Sequence, residues 1–156
     1  MKKFGALSRG TKLVLVAGPV LFLSLFFNWQ MVRVDYGPSG IAKMPQDGWD
    51  AWGLLIGLLV VATVTLVVLR RLTNVEMADD VPWETITLGL GVTAFGIAVL
   101  KNLTDADSTW LSYAFVAVAG VLAAGSYLVW ADAREGGAPL LRLKRKRKSR
   151  EISPTA

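Results

Sequence analysis

Charged residues along this chain bracket four long uncharged blocks. Leu13 to Val32 lies between Lys12 and Arg33, and Ala51 to Leu69 lies between Asp50 and Arg70. Thr85 to Leu100 lies between Glu84 and Lys101, and Ser108 to Ala131 lies between Asp107 and Asp132. A helix needs roughly 20 mostly apolar residues to cross about 30 Å of hydrocarbon, and in lipid its backbone must be satisfied internally. The pattern therefore predicts four spanning helices, at about 12–31, 50–71, 82–102 and 108–133. Lys2, Lys3, Arg9 and Lys12 ahead of the first block also resemble the start of a signal peptide. No Ala-x-Ala-like site precedes the next polar segment, so the block is read as a retained helix.

Between the first two blocks the period changes. Val32, Val34 and Tyr36 alternate with Arg33 and Asp35, "GPSG" (37–40) supplies turn residues, and Ile41 to Met44 can return antiparallel. Period two with that punctuation predicts a β-hairpin at about 32–44. Arg33 or Lys43 is placed to pair with Asp35 across the strands. Asp47 or Asp50 is expected to cap the second helix, and Asp79 or Asp80, ahead of Pro82, the third. Pro19, after Gly18, predicts a bend in the first helix. The fold class is then all-α and integral to the membrane: a four-helix bundle (1–133) with a small hairpin between helices 1 and 2, followed by a basic flexible tail (134–156).

Charge sets the orientation. The 156 residues are 53% hydrophobic, and the net charge of +5 is concentrated at the two ends. Lys and Arg flank the N-terminal side of the first block, the start of the second connection at Arg70 and Arg71, and the tail. The other side holds only Arg33, Lys43 and Lys101. The positive-inside rule places both termini in the cytoplasm and the hairpin outside. The composition suggests a bacterial cytoplasmic membrane. Six tryptophans fall at the expected boundaries and are read as interfacial anchors: Trp29, Trp49, Trp52 and Trp110 outside, Trp83 and Trp130 inside. Small residues at shared-face spacing, Gly53 and Gly57, Gly89 and Gly96, and Gly120 and Ala124, are the candidate helix-packing positions.

The chemical inventory narrows the function classes. There is no cysteine and no histidine, so the commonest metal ligand and general base are missing. No P-loop, dinucleotide fingerprint, metal-ligand cluster or nucleophile–base pair is present, which argues against an enzyme and against a cofactor or metal. The blocks carry no charge at membrane depth, where pumps and proton-coupled transporters need it. Asn28, Thr63, Thr65, Thr87 and Thr93 are the polar residues from which an oligomeric channel would build its lining. The "NLT" sequon at Asn102 lies at the membrane surface and is read as incidental.

The tail packs Arg142, Lys144, Arg145, Lys146, Arg147, Lys148 and Arg150 into nine positions after an "EGGAP" link. Such density suits topology and anionic lipid headgroups. Nucleic acid is disfavoured, since no aromatic residue follows Trp130.

"LSLFFNWQMVRVDYGPSG" followed by "GWDAWGLL" resembles a pattern in small four-helix membrane proteins of actinobacteria, a group without an assigned biochemical role. Trp29 matches the tryptophan that ends their first helix. Gly48, Trp49, Ala51 and Trp52 match the stretch that opens their second, and Asn28 stands where proline is usual. The resemblance implies membrane location and supplies no activity. Claudin-like and tetraspanin-like proteins rely on loop cysteines that this chain lacks. The expectation is a non-enzymatic accessory or scaffold subunit that meets membrane-protein partners or its own copies, and anionic lipid. The alternatives are a small oligomeric channel or transporter, and an envelope sensor.

Overall fold

A computed structural model describes residues 7–73, 81–105 and 107–151, with side chains as far as Glu135, Ser39 excepted. In chain order the elements are α1 (Arg9–Ser24), β1 (Asn28–Asp35), a short 3-10 turn (Gly37–Ser39), β2 (Ile41–Asp47), α2 (Ala51–Leu72), α3 (Trp83–Thr104) and α4 (Trp110–Glu151). Helix contacts run α1 to α2, α2 to α3, α3 to α4 and α4 back to α1. The core draws Val14, Leu21, Ile56, Val60, Ala94, Ala98, Ala119 and Leu122 from all four helices. Larger aliphatic residues, among them Leu54, Leu58, Val61, Val92 and Val121, stay on the outside. An apolar exterior around a core partly built from alanine suits a lipid solvent better than water.

Three helices, Ala51–Leu72, Trp83–Thr104 and the Trp110–Glu135 part of α4, are long and apolar enough to cross a membrane. The first is shorter than its uncharged block predicts. It begins at the Ser8 N-cap, whose hydroxyl accepts from the Thr11 N–H, and it ends at Ser24. Sixteen residues span roughly 24 Å, short of a typical hydrocarbon core. Tight i→i+3 backbone bonds then carry Leu25, Phe26 and Phe27 (3.2, 3.1 and 3.0 Å), and Asn28 starts a strand. The predicted helical stretch 25–31 is therefore turn and strand. Its backbone groups find partners in β2 and in residues 107–109, so they do not need a helix.

The hairpin forms as its turn chemistry predicts and is longer at both ends. Register pairs Val32 with Met44, Arg33 with Lys43 and Val34 with Ala42. Gly37 and Gly40 take positive φ (63° and 98°), which only glycine adopts without cost. Asp35 does not pair across the strands; its carboxylate accepts from the Gly37 N–H at 2.8 Å. Asp50 is the α2 N-cap, accepting from Gly53 N–H at 2.8 Å, while Asp47 accepts from Trp49 N–H. Pro82 occupies the α3 N-cap position, and Asp79 and Asp80 lie outside the described residues. The α4 backbone continues as helix through "EGGAP" to Glu151, where the sequence suggests a flexible link.

Candidate functional site

The densest chemistry lies where the hairpin meets the bundle. Trp29, two residues into β1, is fully buried. Its indole N–H donates to the Ser24 carbonyl at 2.9 Å, and its ring stacks on Phe115 of α4 with centroids 5.7 Å apart. Gly48 follows β2 and donates its N–H to the Leu25 carbonyl at 2.8 Å. A Cβ at Gly48 would lie 2.8 Å from the indole, so glycine is required for the chain to pass over the ring.

Lys101, in the last turn of α3, is also fully buried. Its ammonium pairs with Asp50 at the start of α2 and, at 3.2 Å, with Asp105 just past α3. It also sits 5.7 Å from the centroid of the Trp29 ring. One lysine thus ties two helix ends to the residue that plugs the bundle. Burying an ion is costly unless partners surround it, and here two carboxylates and a ring face do so. Burial pushes the Asp105 carboxyl up from its ordinary value, while Lys101 pulls in the opposite direction.

A second ionic knot fixes the hairpin from above. Arg33 and Lys43, like charges directly opposite each other, both reach the same Asp107 oxygen, at 3.0 and 3.2 Å. Hydrogen bonds from Arg33 and then Lys43 hold the Asp107 carboxyl below the usual carboxylate range. Residues 107–109 lie along β1 and bond to it. Met31 N–H donates to the Asp107 carbonyl at 2.9 Å, Gln30 bridges Ser108, and Thr109 N–H donates to the Trp29 carbonyl at 3.1 Å. The Thr109 hydroxyl donates to the Asn28 carbonyl at 2.8 Å. Asn102 is used internally: its side chain lies 2.5 Å from the Ser112 hydroxyl.

These contacts revise several expectations. Lys101 belongs to the interior and not to a solvated connection. Trp29 cannot anchor at a headgroup surface, because its ring is enclosed. Trp49 is half-buried against Phe22 and Phe26, and its indole N–H has no hydrogen-bond partner among the described residues. Trp52 and Trp110 are exposed, as anchors would be, and Trp83 is half-buried. Trp130 is half-buried and carries the Arg134 guanidinium 3.9 Å from its centroid.

The small-residue stripes divide as well. Gly57 packs on Leu25 and Trp49, and Gly120 touches Phe95. Gly53 makes room for the Gly48 carbonyl, a contact within its own N-cap turn. Gly89 and Gly96 meet nothing within 4 Å, and Ala124 is exposed, so these three take no part in packing the bundle. The close backbone approach lies elsewhere: Gly10 faces Gly125 and Val129, and a Cβ there would come within 2.7 Å of backbone. Within one copy the polar residues named for a channel do not share one face. Thr63 and Thr87 donate to carbonyls of their own helices, Thr65 and Thr93 face outward, and Asn28 lies in β1. The side chains of Arg142, Lys144, Arg145, Lys146, Arg147, Lys148 and Arg150 lie outside the described ones. Among the described residues no group of three metal-ligating side chains occurs.

What the site does is positional: two ionic knots and a buried indole hold a two-stranded sheet fixed on a helical bundle. One face of that sheet, Val32, Tyr36 and Met44, stays open. No protein-family model matches the chain, and no curated protein or solved structure is detectably similar to it.

Proposed function

We propose that this chain is a non-enzymatic, multi-pass protein of the bacterial cytoplasmic membrane, an accessory or scaffold subunit that holds its hairpin toward a partner membrane protein. In this reading α1 with its Leu25–Phe27 extension completes a fourth span. Both termini are cytoplasmic, and the basic tail meets anionic lipid. One observation carries the proposal. The hairpin is locked to the bundle through Trp29, Lys101 and Asp107, yet it leaves Tyr36 half exposed and Ile41 69% exposed at its tip. A lone hairpin is marginal in water, so this much anchoring serves to present a fixed surface. Preorganised apolar side chains of this kind are what a partner covers with little entropy cost.

The absence of native cysteine makes the orientation directly testable. Ser39→Cys should react with an impermeant maleimide in intact cells, and Ala138→Cys only after permeabilisation. A photo-crosslinking residue at Tyr36 or Ile41, activated in native membranes, should give one discrete protein adduct. Adducts to lipid alone at both positions would remove the partner from the proposal.

A further inference from the structure

A groove of about 170 Å³ runs along the outside of the α1–α4 seam, lined only by Leu13, Val16, Ala17, Val20, Val118 and Val121. The two helices touch backbone to backbone at Gly10 and Gly125, and beyond that pinch the small Ala17 leaves the seam open. The α1 positions 13, 16 and 20 share one helical stripe, and Arg9 is the next residue on that stripe toward the N-terminus. Arg9 lies one turn, about 6 Å, beyond Leu13. It is exposed and makes no ion pair among the described residues. A wholly apolar channel that ends one turn from an unpaired guanidinium has the polarity of a phospholipid: chain along the groove, phosphate at its mouth.

We infer that the α1–α4 groove holds one acyl chain of an anionic phospholipid from the cytoplasmic leaflet, with its phosphate on Arg9. The inference rests on the orientation proposed above, which puts Arg9 at the inner surface. Arginine suits the role because its planar fork matches a phosphate with two parallel hydrogen bonds. The site is distinct from the basic tail. The tail would attract anionic lipid diffusely, whereas the groove selects one lipid by its chain and its headgroup together.

The test uses the full-length protein in vesicles of phosphatidylcholine carrying a phosphatidylglycerol with a photoactivatable group midway along one acyl chain. After irradiation, adducts are mapped by peptide mass spectrometry and challenged with unlabelled phosphatidylglycerol or phosphatidylcholine. Adducts should concentrate on 13–20 and 118–121, and phosphatidylglycerol should compete about fivefold better, the factor one basic residue supplies near a membrane surface. Arg9→Gln, an exposed change that leaves the packing intact, should remove that preference and keep the location. Val16→Trp should fill the groove and lose the adducts, and neutralising the tail should leave them. Adducts spread evenly over outward residues such as Leu58 and Val92, or crosslinks joining the grooves of two copies, would overturn the inference. If only tail neutralisation abolishes the preference for phosphatidylglycerol, the tail's lipid contact stands and the groove site falls. Equal competition in every variant removes both.

Discussion

At the hairpin end, Lys101 is enclosed by Asp50, Asp105 and Trp29, and three chain segments exchange backbone hydrogen bonds over it. At the opposite end α1 and α4 approach closely at Gly10 and Gly125, and α2 and α3 are joined by Arg70 and Glu84 at 2.7 Å. Buried charge organises the hairpin end, whereas the α1–α4 seam at the other end depends on the absence of bulk. The contrast follows from what each must hold. Strand, loop and helix ends carry polar backbone that needs directional partners, whereas two regular helices need only shape. Directional networks also fix a unique arrangement, which an irregular end needs more than a seam between two regular helices.

The comparison breaks most decisively at Lys101. Replacing it with methionine leaves Asp50 and Asp105 without their cation, and the expected loss is about 3–5 kcal/mol in unfolding experiments in mild detergent. A change under about 1 kcal/mol would mean the knot behaves like a surface pair and does not organise its end. The next test addresses the opposite end. Gly10→Val drives a side chain into the α4 backbone and should cost about 1–3 kcal/mol. Gly96→Ala, at a position with nothing within 4 Å, should instead raise stability by about 0.5–1 kcal/mol. Equal effects at the two glycines would erase the distinction between seam and outward stripe.

The smallest effects concern pH and separate the two knots. The Asp107 carboxyl is held low by Arg33 and Lys43. Its contribution is therefore present above the ordinary carboxylate range and is lost only as pH falls through the lowered value. Amide exchange at Met31 should stay slow from neutral pH into that range, and Asp107→Asn should speed it without moving the global melt. Asp105 carries the opposite sign, because burial raises its pKa. The folded state holds that proton more tightly than the unfolded chain, so stability falls as pH rises from the ordinary range through the raised value. Asp105→Asn should flatten that slope.

Much of this architecture was legible in the residues. Charges bracketing apolar blocks located the helices, and Gly37, Pro38 and Gly40 between alternating segments located the hairpin. The end of α1 was not legible, because Leu25, Phe26 and Phe27 continue an apolar run whose turn is set by the distant partners of β1. Lys101 read as a boundary charge, since sequence spacing reports its neighbour Asp105 but not that antiparallel packing brings Asp50 to the same level. Gly89 and Gly96 show that a small-residue interval marks a face without telling which way the face points. Gly10 and Gly125, which do pack, lie outside the intervals read as packing positions from the sequence.

Trp29 also sets a timetable. The Thr109 hydroxyl that closes over its strand lies 80 residues further along the chain. At about 5–20 residues per second of synthesis, the indole emerges roughly 4–16 seconds before that closure can form. Gly48 joins it early in that interval, Lys101 only near its end, and Phe115 follows after it. The plug therefore waits for the end of α3 and the start of α4, and any factor that shields a nascent apolar segment has those seconds in which to act on it.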